Sequence, residues 1–119
     1  SSDMREIEAA IEEGDKKAIL TMNVFNYRIK KYIGAYAAAL GGLDILVFTG
    51  GVGENQWSTR TEVCRDMEFM GIKLDEAKND HMRRKEMVIS TPDSKVTVIV
   101  VPTDEELTIA KDTLEILSK

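Results

Sequence analysis

A run of glycines is the first feature of this sequence that could do chemistry. Gly50–Asn55 (GGVGEN) directly follows an apolar stretch, residues 43–49. Glycines between a strand and a helix let the backbone approach a ligand closely and adopt positive φ. The run is not a dinucleotide fingerprint, because Gln56 stands where a third glycine is wanted, and not a P-loop, because no Lys-Ser or Lys-Thr follows. Two interpretations stay open: a nucleotide-binding turn, or a turn that only reverses the chain.

An acidic pair after the most apolar stretch of the chain is the second feature. Residues 96–101 (VTVIVV) predict a buried strand, and Asp104 and Glu105 fall in the first turn of a predicted helix. The Glu105 carboxylate could hold Mg²⁺ directly or through water, because hard cations prefer oxygen ligands. The alternative is structural, since acidic residues in a first helical turn stabilise the helix against its dipole.

The other reactive side chains carry no functional prediction. His81 lies in a charged stretch and is the only histidine, so we expect a solvated surface residue. Cys64, the only cysteine, forms no internal disulfide, and we expect a packed thiol. Phe25, Tyr32 and Tyr36 share one helical stripe and are expected in a core or a subunit interface rather than in a base-stacking platform.

Helices and strands alternate along the chain and must position these residues. Helices are predicted at 3–13, 18–40, 58–70, 75–79 and from 103 onward, and strands at 43–49, 72–74, 87–90 and 96–101. The apolar stretch 43–49 reads as a strand buried on both faces. This alternation predicts a single α/β domain over residues 1–119 with a largely parallel sheet, in which ligands bind beyond the carboxyl ends of strands.

Composition narrows the classes of partner. The chain has 119 residues, 43% of them hydrophobic, and a net charge of −5. An acidic excess argues against a nucleic-acid partner, which needs a basic face, and favours small molecules. The longest apolar stretches are far too short to span a membrane, and the lone cysteine fits a reducing compartment, so we expect a cytoplasmic protein. The start at Ser1, without an initiator methionine, suggests a piece of something longer.

Five blocks of residues resemble the acetate kinases, in the family's order. They span 1–5, 31–36, 48–55, 89–96 and 101–107. The resemblance implies a partial C-terminal lobe of the two-lobed fold shared with sugar kinases, Hsp70 and actin, with a mostly parallel sheet flanked by helices. It also implies a longer parent enzyme that transfers the γ-phosphoryl of ATP to acetate, giving acetyl phosphate, and that dimerises through its C-terminal lobe.

The resemblance also assigns roles to individual positions. It implies that Asp3, Met4 and Arg5 line the ATP or ADP and that Glu105 helps to place Mg²⁺. It further implies that the adenosine and phosphate side of the nucleotide is held by Gly51, Val52, Gly53, Glu54 and Asn55. Many members have alanine at Gly50, isoleucine at Val52 and phenylalanine at Met4, and residues 80–84 lack a glycine often found there.

The family's phosphoryl-transferring residues precede Ser1, so we expect the isolated chain to be inactive. Propionate or butyrate kinase is the near alternative, because the acyl pocket also lies mostly upstream. Two other classes remain: a nucleotide-binding module without catalysis, and an oligomerisation domain that uses the apolar stripe of residues 22–40. We also expect exposed sheet edges and apolar faces to drive self-association of the chain.

Overall fold

The computed structural model describes residues 4–103, which combine helices with a sheet and confirm the α/β prediction. Within these residues the order is α1 (Met4–Glu12), α2 (Lys16–Leu40), β1 (Ile45–Thr49), α3 (Gly50–Asn55), α4 (Trp57–Cys64), α5 (Glu76–Asn79), β2 (Met87–Val88) and β3 (Thr97–Val101). No helix of this part of the chain is long and apolar enough to cross a membrane.

Local signals in the sequence set both ends of the long helix α2. The Asp15 carboxylate accepts hydrogen bonds from the backbone N–H groups of Lys17 at 2.9 Å and Ala18 at 3.2 Å. Those groups would otherwise lack partners, so Asp15 is an N-cap that stabilises the helix by about 1 kcal/mol. Gly41 follows the last helical residue with φ 78°, the left-handed conformation that ends many helices.

The described strands form one sheet in the order β1-β3-β2. β1 and β3 are parallel and in register from Ile45 opposite Thr97 to Thr49 opposite Val101, whereas β2 pairs antiparallel with β3. The sheet is therefore mixed, with the longer pairing parallel. Because parallel strands end at the same edge, the two turns predicted to do chemistry leave the sheet side by side.

The buried core lies between α4 and one face of the sheet. Its most deeply buried side chains are 0% exposed: Val63, Ile72, Ile89, Val98 and Val100. Burial of such side chains contributes about 1.5–3 kcal/mol each. The rest of the cluster comprises Phe48, Cys64, Met67 and Val96. The predictions of a packed Cys64 and of a buried strand over residues 96–101 are confirmed.

Three local predictions were wrong, each for a structural reason. β1 is not buried on both faces: within the described sheet it is an edge strand, and Ile45 is 44% exposed. α4 ends at Cys64 rather than at residue 70, because Asp66 adopts φ 58° and the helix cannot continue through a left-handed residue. The predicted strand 72–74 is reduced to one bridge, between Leu74 and Ser90.

The second half of α2 exposes large apolar side chains. Tyr32, Tyr36 and Leu40 are 63%, 64% and 67% exposed, and the two tyrosine rings stack with centroids 6.4 Å apart. Leu40 lies on the same apolar stripe of α2 as the buried Met22. The stripe is therefore longer than the core that residues 4–103 form against it. The expected stripe therefore exists, with its C-terminal half uncovered by residues 4–103.

Candidate functional site

The glycine-rich turn is a short helix, α3, that starts directly after the last residue of β1. Gly50 has φ 75°, a conformation that favours glycine. At Gly53 an added Cβ would lie 2.9 Å from the carbonyl carbon of Phe48, so α3 packs directly on the β1 backbone. Gly51 has neither constraint, because its φ is ordinary and no heavy atom lies within 4 Å of the added Cβ. Local structure thus explains two glycines and leaves Gly51 open to a ligand.

Side chains at the sheet edge join the end of β1 to the end of β3. Thr49 Oγ1 donates a 2.5 Å hydrogen bond to the Val101 carbonyl. The Glu54 carboxylate, in a residue only 6% exposed, accepts hydrogen bonds from the backbone N–H and the Oγ1 of Thr103. The glycine turn and the turn after β3 are therefore held together in one site.

Arg60 on α4 supports the turn from its buried side. The residue is 0% exposed, although its side chain carries a positive charge. Its Nη1 donates to the Gly53 carbonyl at 2.9 Å, its Nε donates to Asn79 Oδ1 at 2.6 Å, and its Nη2 donates to the Met82 carbonyl. One guanidinium therefore ties α3, α5 and the segment after α5 together.

Asn79 completes the buried network around Arg60. Its side-chain Nδ2 donates to the Trp57 carbonyl at 3.0 Å and to Thr61 Oγ1 at 2.9 Å. Burial lowers the pKa of Arg60 from 12.5 to about 10, an effect that the nearby Cys64 partly offsets. The guanidinium is still protonated at neutral pH, and all its donors described above meet neutral oxygens.

Residues 80–84 form a strap against the turn. The backbone N–H of Arg84 donates to the Glu54 carbonyl at 3.0 Å, and Arg84 Nε donates to Asn55 Oδ1 at 3.1 Å. Asn55 Nδ2 in turn donates to the Gly51 carbonyl at 2.9 Å. His81 and Arg84 have φ of 56° and 52°, the conformation that glycine adopts most easily. Because residues 80–84 contain no glycine, His81 and Arg84 adopt this conformation at a cost in backbone strain.

Helix α1 is attached to the far end of the turn. Met4 is the first residue of α1 and is half-buried, and Arg5 is exposed. Further along, Glu8 accepts a hydrogen bond from Gln56 Nε2 at the junction of α3 and α4. A cleft of about 350 Å³ opens beside this link. Its walls are formed by Glu8, Ile11, Glu12, Met22, Gln56, Trp57, Ser58, His81 and Arg83.

Two of the predicted site residues, Asp3 and Glu105, lie outside the described residues. Among residues 4–103, no group of three or more histidine, cysteine, aspartate or glutamate side chains could hold a metal ion. His81 is exposed as expected, with its ring 4.3 Å from that of Trp57 and its Nδ1 2.7 Å from Asp80 Oδ1. The prediction that Glu105 helps to place Mg²⁺ therefore stays a prediction.

Sequence reasoning missed the residues that support the turn: Arg60, Asn79, Arg84 and Thr103. A signal for Arg60 was present within the predicted helix 58–70. The apolar residues Val63, Met67 and Met70 follow helical spacing, and Arg60 stands three residues before Val63. An arginine on the buried side of a helix needs several acceptors around it. Nothing comparable marks Asn79 or Arg84, whose partners are distant in sequence.

Comparison with known proteins shows the family of the chain. Residues 1–111 match the family described as the Acetokinase family. The chain is 74% identical over all of its length to an acetate kinase from Parabacteroides distasonis. It superposes on the crystal structure of Porphyromonas gingivalis acetate kinase with a TM-score of 0.87 and 68% identity over 98% of this chain.

A third relative is a propionate kinase. The crystal structure of the enzyme from Francisella tularensis matches with a TM-score of 0.74 and 35% identity, covering 91% of this chain and 27% of that protein. The Parabacteroides and Porphyromonas matches likewise cover 30% and 29% of those proteins. The chain thus spans about 30% of the length of the curated relatives that it matches. With its fold, its glycine turn and these matches in agreement, the chain belongs to the acetokinase family.

Proposed function

We propose that this chain is the C-terminal part of an acetate kinase, which transfers the γ-phosphoryl of ATP to acetate and forms acetyl phosphate reversibly. The observation that supports it best is the placement of the glycine turn. α3 lies at the carboxyl ends of two parallel strands, where open α/β folds bind ligands, in a chain 74% identical to an acetate kinase.

The nucleotide is proposed to lie against the open side of α3. Gly51 offers backbone without a side chain on the open side. By the resemblance, Val52, Gly53, Glu54 and Asn55 also hold the nucleotide. Asp3, Met4 and Arg5 would approach from the start of α1. The cleft beside Gln56 has a volume within the range of about 300–1,000 Å³ usual for ligand pockets, and Trp57, Ile11 and Met22 give it apolar wall.

Mg²⁺ is proposed to be held with the help of Glu105, whose helix would follow Thr103. The described hydrogen bonds between Glu54 and Thr103 support this placement, because they bring the chain just before Glu105 beside the nucleotide turn. When bound, Mg²⁺ supplies charge neutralisation for the transferred phosphoryl group. This chain's own contribution is to orient the nucleotide through α3.

The isolated chain is proposed to lack catalysis. Phosphoryl transfer depends on positioning and on neutralising charge around the transferred group, and removal of even one such donor costs about 2.7–4 kcal/mol. By the resemblance, the residues that do this precede Ser1. We propose that residues 1–119 act as one nucleotide-binding and dimerisation unit, in which the exposed stripe of Tyr32, Tyr36 and Leu40 faces the second subunit.

Acetate is proposed as the acyl acceptor, with propionate as the second candidate. The matches favour acetate, because the relatives that are 74% and 68% identical to this chain are both acetate kinases. The second candidate is kept because the propionate kinase shares the fold of this chain. The preference is a property of the whole enzyme rather than of α3.

A segment exchange tests the proposal directly. The matching segment of the Parabacteroides distasonis acetate kinase is replaced by residues 1–119 of this chain, and ATP-dependent acetyl phosphate formation is measured. We expect an active chimera that prefers acetate to propionate, and an isolated chain that forms no acetyl phosphate. A folded chimera without activity would contradict the proposal.

The isolated chain provides a second measurement. Trp57 is its only tryptophan and directly follows Gln56 at the end of α3, so its fluorescence reports on the turn and the adjoining cleft. We expect ADP to change the Trp57 emission in a saturable way, and inorganic phosphate to leave the emission unchanged. Absence of any change, together with no heat of ADP binding by calorimetry, would show that the chain alone does not hold the nucleotide.

A further inference from the structure

We propose that Arg60 is a positioning residue for the nucleotide turn, holding α3 in its binding orientation through the Gly53 carbonyl. The inference rests on the proposed function, because it takes α3 to be the element that contacts the nucleotide. Arg60 itself is 0% exposed and would touch neither ATP nor acetate.

The three acceptors of Arg60 come from separate segments of the chain. Gly53 belongs to α3, Asn79 ends α5, and Met82 lies in the strap that follows. A planar guanidinium carries five donors in a fixed fork, so it can satisfy acceptors in several directions at once. A lysine would present one ammonium on a flexible stem and could not reproduce this geometry. The site therefore requires arginine specifically.

Arg60 holds the turn from its buried side. The carbonyls of Gly53 and Glu54 accept from Arg60 and Arg84, and Gly53 has no room for even a Cβ against Phe48. The opposite side, at Gly51, is open. Arg60 thus fixes the position of the binding surface without obstructing it. Misplacement of a binding element by about 1 Å can cost roughly a hundredfold in rate.

A role in stability alone explains Arg60 poorly. Burying a charge is costly, and the described acceptors are neutral oxygens that return less electrostatic energy than a carboxylate. Apolar side chains of similar volume are often equal to or more stabilising than buried charged groups. Arg60 lies on the same side of α4 as Val63, a position that an apolar residue would fill. The network instead determines where α3 lies.

Substitutions in the segment-exchange chimera test the proposal. Arg60→Lys keeps the charge and loses the fork, and we expect it to raise the KM for ATP about tenfold while the KM for acetate changes less than about twofold. Asn79→Ala removes one acceptor and leaves the guanidinium in place, so it provides a milder variant. For Asn79→Ala we expect a rise of about threefold in the KM for ATP alone.

Val63→Ala is the matched control. Val63 is also on α4 and 0% exposed, but it belongs to the apolar core and its side chain has no group that could form a hydrogen bond in the turn network. We expect it to lower the melting temperature of the chimera at least as much as Asn79→Ala does, with both KM values unchanged. That contrast separates a loss of position from a loss of stability.

The outcomes are distinguishable from a failure of the proposed function. If Arg60→Lys or Asn79→Ala folds and the KM for ATP stays unchanged, or both KM values rise together, the positioning role is wrong. If the unsubstituted chimera is folded but inactive, the proposed function has failed. The dissociation constant for ADP, measured by calorimetry, then still tests Arg60 in the same variants: an unchanged value contradicts the positioning role.

Discussion

Glu54 and Thr103 are joined by two hydrogen bonds although 49 residues separate them: the carboxylate accepts from the Thr103 backbone N–H at 3.1 Å and from its Oγ1 at 3.2 Å. Glu54 lies in α3, directly after β1, and Thr103 is the second residue after β3. The pair therefore fixes the distance between the proposed nucleotide surface and the segment that leads to Glu105. Within a parallel pair of strands, no local signal could fix that distance.

Removal of the Glu54 carboxylate should loosen this junction. Glu54→Ala leaves the Thr103 N–H without its acceptor, and we expect the free energy of unfolding of the chain to fall by about 1–3 kcal/mol. The measurement is urea-induced unfolding followed by Trp57 fluorescence. Glu54→Gln is the control, since both hydrogen bonds go to the same carboxylate oxygen and an amide oxygen can still accept them. Equal losses in both variants would contradict the role of the carboxylate.

Gly53 and Gly51 should respond oppositely to alanine. Gly53→Ala places a Cβ 2.9 Å from the Phe48 carbonyl carbon, so we expect a loss of about 1–3 kcal/mol in the free energy of unfolding. Gly51→Ala meets no atom within 4 Å and needs no unusual φ, so we expect no loss, or a gain of up to about 1 kcal/mol.

The same two variants also test ligand contact. In the segment-exchange chimera, Gly51→Ala should raise the KM for ATP although it does not destabilise the protein, because the added methyl group occupies the open side of α3. A Gly51→Ala chimera with an unaltered KM for ATP would indicate that the nucleotide does not approach this residue. Matching losses of stability in Gly51→Ala and Gly53→Ala would contradict the close packing of α3 on β1.

Cys64 should make the stability of the chain fall at alkaline pH. Burial raises the pKa of the Cys64 thiol from its usual 9.0 to about 12. Between these two values the unfolded chain has lost the thiol proton and the folded chain has kept it. Stability therefore falls as pH rises above about 9, by about 1.4 kcal/mol per pH unit from this group.

The comparison that isolates this thiol is Cys64→Ala. We expect the free energy of unfolding of the alanine variant to fall less steeply between pH 9 and 11 than that of the unsubstituted chain. Folded chain at pH 8 should also react slowly with a thiol-specific reagent such as Ellman's reagent, and rapidly once it is unfolded in urea. Fast reaction in the folded state would show that the thiol is accessible and ionised.

The exposed end of α2 should drive self-association of the isolated chain. Tyr36 and Leu40 are 64% and 67% exposed, and apolar surface of this kind marks contact sites. We expect light scattering after size exclusion to give a mass above 13.3 kDa for the chain, and a mass closer to it for Tyr36→Glu. Asn23→Glu, an exposed position on the same helix, is the control and should leave association unchanged. A monomeric profile for the unsubstituted chain would contradict the expectation.

Local chemistry in the sequence predicted the elements whose ends are decided within a few residues. Gly41 after α2 and Asp75 before α5 act as the caps that their residue types indicate, whereas Asp15 caps α2 at Lys16, two residues before the predicted start at residue 18. The α4 boundary was missed because aspartate adopts a positive φ only occasionally, so Asp66 by itself does not mark a helix end in the sequence. The edge position of β1 was missed because a short apolar run does not indicate how many strands pair with the strand that it predicts.

For the candidate site, too, some features follow from the sequence and others only from the tertiary structure. The sequence by itself determined that Gly50–Asn55 is a turn at a strand end and, through its five blocks of resemblance, which family it belongs to, because glycine content and residue order are properties of the chain. Only the tertiary structure decided which glycines are needed for packing and which is open, and that Arg60, Asn79 and Arg84 hold the turn. The reason is physical: a buried hydrogen bond is fixed by the acceptors that folding brings together, and those of Arg60 lie up to 22 residues away.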